Sequence, residues 1–248
     1  MSASFHDHFS RAAGEYARAR PTYPDALFAR LAEVAPARER AWDCATGSGQ
    51  AALGLARHFA RVDATDASSQ QIANAAPAAN VSYSVQPAEA TSFAAGSFDA
   101  VCVAQAVHWF DVDRFHAEVK RVLRPRGVLL LTAYGWSSVS PEVDRLVKRD
   151  VLVPIEPHWP AQNQLIMNGY RDLPFPFERI EFPQMAIEVR WTLGQYVDYI
   201  GTWSATRRLL ELAPDFLEKT QAALKAAWPD EEPRTVTMPL VALCGRHA

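Results

Sequence analysis

The chain has 248 residues, of which 49% are hydrophobic, and a formal net charge of −3 at pH 7. This length and hydrophobic content can build a sizeable core and exclude a disordered chain. The acidic balance and the scattered lysines argue against a nucleic-acid or membrane-surface partner.

Strand and helix patterns alternate regularly over the first 134 residues. In chain order they are a helix over 5–17, a helix from Pro24 to about Val34, a strand over 41–44, a helix from about Gln50, a strand over 62–66, a helix from Ser68 to near Pro77, a strand over 81–85, a strand over 98–104, a helix capped by Asp113 and ending near Leu123, and a strand over 127–134. This alternation is typical of a doubly wound, mostly parallel sheet, which places the chain in the α/β class.

The remaining residues follow a different pattern. The segment 136–184 contains seven prolines and many aromatic residues, with one helix predicted over about 141–153. It is too long for a plain loop, so we expect a lid over a binding site. Strand patterns return at 185–191 and 235–244, and helices are predicted at 193–204 and 214–227. Parallel neighbouring strands need a crossover connection, usually a helix. Neither of the two late strands is followed by such a crossover, so we expect them to pair antiparallel at the edge of the sheet.

Cysteine use and hydropathy indicate the compartment. Cys44, Cys102 and Cys244 fall in or at the ends of apolar strands, as expected for buried thiols in a reducing cytoplasm.

The His6-Asp7-His8 tract could bind a metal, but a polar terminus is the simpler interpretation, and we expect no metal site. No segment approaches the ~20 apolar residues of a membrane span, and charged residues near the N-terminus argue against a signal peptide.

The stretch from Asp43 to Gly49 carries the strongest functional signal. It places a carboxylate at the end of a buried strand and two glycines in the turn that follows, where backbone N–H groups can approach a ligand closely. Asp66 ends the next strand, at the offset where nucleotide-binding α/β proteins hold ribose hydroxyls with an acidic side chain. Together these features predict an adenosine-containing cofactor.

Two adenosine cofactors are compatible with the turn. Residues 47–52 fit the G-x-G-x-x-A fingerprint of nicotinamide enzymes, which makes an NAD(P)-dependent oxidoreductase the alternative. Asp43, however, would repel a pyrophosphate at this place. It suits the α-ammonium of S-adenosylmethionine (SAM), which carries no phosphate.

The motif also resembles a known family. Residues 43–49 are similar to the D-x-G-x-G-x-G motif of class I SAM-dependent methyltransferases, with Ala45 in place of the first glycine. Residues 123–127 are similar to their L-R-P-G-G turn, with Arg126 replacing a glycine. Residues 20–24 and 107–110 narrow the resemblance to small-molecule enzymes of the trans-aconitate methyltransferase type. The resemblance implies a seven-stranded sheet with an antiparallel last hairpin, and it covers nearly the whole chain except 136–184.

The resemblance also implies residue roles. Asp66 would hold the ribose, Asp43 the methionine ammonium and Glu89 the adenine, while Arg20 could pair with a carboxylate. The residues expected at the cofactor are Tyr16, Arg20, Asp43, Ala45, Thr46, Gly47, Gly49, Asp66, Ala67, Ala88, Glu89 and Gln105. His108 is the candidate general base, since its ordinary pKa suits neutral pH. The residues expected at the acceptor are His108, Trp109, Trp159, Tyr170 and Trp203.

Purely structural roles are the alternatives to several of these assignments. Asp66 could cap the following helix, Asp43 could bind turn amides, Arg20 could form a surface ion pair, and His108 could simply pack.

The predicted function is methyl transfer from SAM to a small molecule, with a carboxylate or hydroxyl as acceptor. A SAM-binding protein without catalytic activity remains an alternative. The expected organisation is a single domain of N-terminal lid helices (1–35), cofactor core (36–135), lid insertion (136–184) and C-terminal completion of the sheet (185–248), in a cytoplasmic monomer or homodimer.

Overall fold

The computed structural model describes residues 21–248. The helix predicted over 5–17, the His6-Asp7-His8 tract and the predicted cofactor residues Tyr16 and Arg20 lie outside this range.

The first half of the described chain alternates strands and helices as the sequence predicts. The elements are α1 (Asp25–Val34), β1 (Arg40–Cys44), α2 (Gln50–Leu55), β2 (Arg61–Asp66), α3 (Ser69–Ala73), β3 (Val81–Val85), β4 (Phe98–Ala104), a 3₁₀ turn (Val107–Trp109), α4 (Val112–Val122) and β5 (Leu123–Tyr134). Strands β1 to β5 pair in parallel in the spatial order β3-β2-β1-β4-β5. The order reverses between β1 and β4, so the carboxyl ends of these two strands form the crevice where such sheets bind ligands.

The second half closes the sheet with antiparallel strands. Its elements are α5 (Pro141–Val147), a π-helical turn (Lys148–Leu152), α6 (Val153–Ile155), 3₁₀ turns (Glu156–His158 and Ala161–Asn163), α7 (Gln164–Met167), β6 (Glu178–Ile180), β7 (Ala186–Trp191), α8 (Leu193–Gly201), α9 (Ser204–Leu210), α10 (Phe216–Leu224) and β8 (Arg234–Arg246).

The long strand β8 organises this edge of the sheet. Its residues 240–246 pair antiparallel with β5, while β6 and β7 pair with separate parts of β8. Thr237 pairs with Glu188 of β7 and also with Ser138, which follows β5, so β7 lies on the side of β8 opposite β5. The sheet therefore has seven positions, and the two short strands β6 and β7 share the last one. This confirms the predicted seven-stranded sheet with antiparallel end strands.

Helix starts follow local capping chemistry, with one correction. Thr192 and Gln195 form a reciprocal capping box at the start of α8. Ser68 caps α3 by accepting from the Gln71 amide, and α3 ends at Ala73, a few residues before the predicted end. The prediction that Asp113 caps α4 is wrong, because Asp111 is the cap and accepts from the Arg114 amide, whereas Asp113 lies inside the first turn.

Three apolar clusters pack around the sheet. One joins α1, α2 and one face of the parallel strands, and a second joins the other face to α4 and to residues 165–177. The third contains α5, β7, α8 and the first part of β8. The segment 136–184 is thus divided between the second and third clusters, so it packs as part of the domain.

Three further features of the described residues concern membrane-spanning helices, metal-binding clusters and the state of the cysteines. No helix among residues 21–248 is long and apolar enough to cross a membrane. Within the same range, no group of three His, Cys, Asp or Glu side chains is arranged to hold a metal ion. Cys44, Cys102 and Cys244 are buried free thiols, as the strand pattern predicts.

Candidate active site at the carboxyl ends of β1, β2 and β4

The turn after β1 is built around the buried carboxylate of Asp43. One carboxylate oxygen, Oδ2, accepts a hydrogen bond from the Thr46 hydroxyl at 2.5 Å. The Thr46 amide donates to the carbonyl of Thr65 on β2, which fixes the turn against the neighbouring strand. Asp43 is fully buried, and its Oδ1 atom has no hydrogen-bond partner.

Burial sets the charge state of Asp43. The pKa of this carboxyl is raised from 3.8 to about 7, mainly by loss of solvation and to a smaller degree by the charge of Asp66, while the Thr46 hydroxyl and the Ala52 amide oppose the shift. A cation placed against Asp43 would favour the charged form. The carboxylate is therefore suited to a positively charged group that arrives with a ligand.

The backbone of the same turn takes an unusual conformation. Ala45, Gly47 and Gly49 have φ values of 56°, 57° and 92°, in the left-handed region that disfavours side chains. Around Gly47, no atom lies within 4 Å of where a Cβ would stand, whereas at Gly49 a Cβ would lie 2.5 Å from the Tyr83 hydroxyl oxygen. Gly47 thus leaves open space beside the turn, and Gly49 is required by packing against β3.

Asp66 connects the first two β–α corners. Its Oδ2 accepts from the Gly47 amide at 2.9 Å, and its Oδ1 accepts from the Ser68 amide at 2.8 Å. The capping role considered for Asp66 from the sequence belongs to Ser68, and Asp66 instead binds the amide of that cap residue and the glycine turn. A carboxylate offers about four lone-pair positions, so these two bonds still leave acceptor capacity for ligand hydroxyls.

The loop after β3 is held against α4. Glu89 accepts from the Asp111 amide at 3.1 Å, and Ala88 is buried. Two residues further on, Thr91 donates its amide to Glu118 at 2.7 Å, and Arg121 completes an ion pair with the same carboxylate. This network fixes the loop that the sequence assigns to the adenine side of a cofactor. Ala67, the last residue of the predicted cofactor set, is exposed beside Asp66.

Gln105, which directly follows β4, has a strained backbone with φ of 60°. Its Oε1 accepts from the Tyr134 amide at 3.0 Å, and its own amide donates to the Thr132 carbonyl at 2.8 Å. These two bonds connect the carboxyl ends of β4 and β5. Non-glycine residues in this backbone region often mark functional sites, because the surrounding structure must hold them there.

A cavity of about 130 Å³ opens beside Gln105. This is several times the roughly 10–15 Å³ that admits a single water, so the cavity has room for a small organic molecule. Among the described residues, its lining is mostly aromatic and uncharged: Gln105, His108, Trp109, Tyr134, Gly135, Trp136, Trp159, Asn163, Ile166, Met167, Tyr199, Trp203 and Ser204.

Three tryptophans form one wall of this cavity. The Trp136 ring centroid lies 5.7 Å from those of Trp159 and Trp203, with steep interplanar angles of 67° and 61°. The Trp159 and Trp203 centroids are 6.3 Å apart. We call these three residues the tryptophan wall. On another side of the cavity, the buried His108 packs against Trp109, with ring centroids 4.9 Å apart.

The structure brings together most of the predicted acceptor residues. His108, Trp109, Trp159 and Trp203 all line the cavity. Tyr170 does not line it: this side chain is buried among Leu173, Phe177 and the β-strand residues of the second apolar cluster, and burial raises its pKa well above the usual range. Tyr170 reaches the core because its backbone, with φ of 58°, turns the chain inward after α7.

Sequence reasoning missed several lining residues. Tyr134, Gly135 and Trp136 continue directly from the end of β5, so the rule that ligands bind at the carboxyl ends of parallel strands could have identified them. Tyr199 and Asn163 carried no comparable signal, since Tyr199 is placed by the packing of α8 and Asn163 by the packing of the turn 161–163.

Comparisons with known proteins define the class of this fold and site. Residues 42–131 match the family model described as a methyltransferase domain. A solved structure described as a putative type II methyltransferase from Anaeromyxobacter dehalogenans is 46% identical to the chain. It covers 92% of this chain and 97% of its own, with a TM-score of 0.86. The chain belongs to the class I SAM-dependent methyltransferases.

Two more distant relatives agree with this assignment. A protein described as a putative methyltransferase from Dictyostelium discoideum is 29% identical over 245 residues, which span 95% of this chain and 93% of the relative. A phosphoethanolamine N-methyltransferase from Haemonchus contortus, solved with S-adenosylhomocysteine, shares the fold at 19% identity. Its TM-score is 0.53, and the match covers 98% of this chain and 60% of that one. The cofactor of the class to which the chain belongs is SAM, so the nicotinamide alternative is set aside.

The observed site fits this cofactor. The partnerless buried oxygen of Asp43 and the open space at Gly47 are features that a cationic, phosphate-free nucleoside can use.

Proposed function

We propose that this methyltransferase acts on a small organic molecule bound in the aromatic cavity beside Gln105. The observation that carries the proposal is the position of that cavity. It opens where β4 ends, and β4 is the immediate neighbour of β1, whose turn contains Asp43. A methyl donor held by the β1 corner and an acceptor in the cavity would therefore meet at one edge of the sheet.

We assign the cofactor to the corners of β1 and β2. Asp66 would accept the ribose hydroxyls in charge-assisted hydrogen bonds, which are about twice as strong as neutral ones. Asp43 would face the ammonium of the methionine part, and the Ala88–Glu89 loop would contact adenine. Gly47 would give the cofactor close access to the backbone. Tyr16 and Arg20 keep their sequence-based assignment to the cofactor side.

The chemistry then depends mainly on position. SAM supplies a methyl group on a sulfonium, an intrinsically good leaving group. The protein has to align the acceptor with that methyl and exclude water, which can lower the barrier by roughly 7–11 kcal/mol. His108 would remove a proton if the acceptor is a hydroxyl. A carboxylate acceptor would need no base.

The proposed single domain supports this division of work. Residues 36–135 supply the cofactor side, while Trp159 and Asn163 of the 136–184 segment form part of the cavity wall. These contacts support a lid role for the segment, in which it would keep water away from the acceptor. The N-terminal residues 1–35 are proposed to complete the cover.

A labelling experiment tests the proposal. Purified protein is incubated with methyl-labelled SAM and a cell extract separated into small molecules, proteins and nucleic acids. We expect label in the small-molecule fraction, and none with the Asp66→Asn variant. Label confined to protein or nucleic acid would refute a small-molecule acceptor. SAM binding without transfer to any fraction would support a protein that binds SAM without catalysis.

A further inference from the structure

The orientation of the Gln105 side chain has a chemical consequence for the acceptor. A backbone N–H can only donate, so the group that faces the Tyr134 amide at 3.0 Å must be the carbonyl oxygen of Gln105. The Nε2 amino group is thereby fixed on the other side of the carboxamide. Among residues 21–248, Nε2 has no hydrogen-bond partner, and Gln105 lines the cavity. The cavity thus has a fixed pair of N–H donors beside the buried His108.

These donors favour an oxygen nucleophile over a nitrogen nucleophile. An amine nitrogen has one lone pair, and a hydrogen bond from Nε2 would occupy the electrons needed for attack. A hydroxyl oxygen has two lone pairs, so it can accept from Gln105 and still attack a methyl group. Donation from Gln105 also stabilises the negative charge that develops as the hydroxyl loses its proton.

The tryptophan wall indicates what carries the hydroxyl. Trp136, Trp159 and Trp203 meet at centroid distances of 5.7–6.3 Å and present apolar ring surfaces to the cavity. Stacked and edge-to-face contacts with such rings favour a flat, apolar molecule over a small hydrophilic acid. Trp136 is 43% exposed, so the wall still has surface to cover when a ligand enters.

Resting on the proposed function, we propose that the acceptor is a hydroxyl group on a flat aromatic or conjugated ring. The ring stacks against the tryptophan wall, and the hydroxyl lies between Gln105 and His108. In the reaction the hydroxyl proton passes to His108 and an oxygen lone pair forms the new O–CH₃ bond. The sulfonium–methyl bond breaks with its electron pair left on sulfur. The products are a methyl ether, the neutral thioether and protonated His108, which releases its proton to water.

Three probes that share one ring test the choice of nucleophile. A naphthol, the corresponding naphthoate and the corresponding naphthylamine are titrated by calorimetry into protein saturated with S-adenosylhomocysteine, so that binding is read without turnover. We expect the naphthol to bind about tenfold more tightly than the other two, a difference of about 1.4 kcal/mol, because the naphthylamine is the poorer acceptor for Nε2 and the naphthoate would bring a charge into a lining that has no Lys or Arg among the described residues. Equal binding of the three, or tightest binding of the naphthoate or the naphthylamine, would overturn the proposal.

The Gln105→Glu variant tests the Nε2 donor of Gln105 while keeping the hydrogen bond that its side chain accepts from the Tyr134 amide. Glutamate can still accept from the Tyr134 amide, but it replaces the Nε2 donors with an oxygen. We expect naphthol binding to fall about tenfold, with the naphthol preference over naphthylamine lost. The matched control Gln162→Glu adds the same charge at an exposed neighbour of the cavity and should leave the preference intact. Unchanged naphthol binding in Gln105→Glu would contradict the assigned role.

A second pair of variants tests the tryptophan wall. Trp159→Leu should weaken naphthol about tenfold, while Trp191→Leu, which alters a tryptophan outside the cavity, should not. Binding of S-adenosylhomocysteine is measured in every sample. If the wild-type protein fails to bind it, the proposed function fails. If it binds with all variants and the naphthol preference is absent, only the acceptor proposal fails.

Discussion

Replacing Asp43 with asparagine should change how stability depends on pH. The pKa of this carboxyl is raised from 3.8 to about 7, first because burial disfavours the charge and also because Asp66 lies near. Between these two values the folded protein keeps a proton that the unfolded chain has released. The free energy of unfolding therefore decreases as pH rises through this window and is constant above it.

The size of the effect follows from the shift. Each pKa unit corresponds to about 1.4 kcal/mol, so the whole window is worth roughly 4 kcal/mol, and the part between about pH 5 and pH 8 roughly 3 kcal/mol. Asparagine cannot ionise but can still accept from the Thr46 hydroxyl. The amide can also change the free energy of unfolding by an amount that does not depend on pH. That amount is the same at every pH, so it does not affect how the difference between the two proteins changes with pH.

Urea unfolding of the cofactor-free protein measures this difference. The stability of Asp43→Asn relative to wild type should increase by about 3 kcal/mol from pH 5 to pH 8. Asp111→Asn, which changes an exposed helix cap, is the control and should follow the wild-type profile. A difference between Asp43→Asn and wild type that stays constant over this range would refute a buried, protonated Asp43.

Four further outcomes are expected. Asp66→Ala should weaken SAM binding about a hundredfold by calorimetry while circular dichroism shows the fold retained, since two charge-assisted bonds to the ribose are lost. Unchanged affinity would remove Asp66 from the site. Ala45→Gly should raise the free energy of unfolding by about 1 kcal/mol in urea, because φ of 56° strains alanine but not glycine; a lower midpoint would contradict this. His108→Ala should reduce turnover more than about tenfold if the acceptor is a hydroxyl, and a smaller loss would favour a carboxylate or an amine. For Glu118, burial opposes the charge, but bonds from Arg121 and Thr91 lower its pKa from 4.5 to about 2. Its contribution is thus present above pH 4.5 and lost towards pH 2, so Glu118→Gln should cost about 2 kcal/mol at neutral pH and much less near pH 2; an equal cost at both would contradict it.

The parallel half of the fold could be predicted because its signals are local. Apolar runs, the glycine turn after Asp43 and the acid that ends β2 each depend on a few neighbouring residues. The same locality placed Asp43, Asp66 and Gln105 at the ends of their strands, where the structure has them.

The cavity was harder to predict, because its wall depends on packing between distant segments. Trp159 and Trp203 are 44 residues apart in sequence and meet only because the helices around them pack together. Tyr170 shows the limit of composition as a guide. It belongs to the same aromatic-rich segment as Trp159, but a turn in the backbone sends it into the core. The cap of α4 was missed for a simpler reason, since two aspartates stand two positions apart and both suit a helix start.

The division of the apolar core into separate clusters has a consequence for how this enzyme could diversify. The β1 and β2 corners belong to the clusters around the parallel strands, whereas Trp159, Tyr199 and Trp203 belong to the cluster built by β7, α8 and the first part of β8. Mutations in this third cluster can reshape the cavity without changing the residues proposed to hold the cofactor. Duplicated copies of such a gene could therefore change their methyl acceptor while keeping the residues proposed to bind SAM.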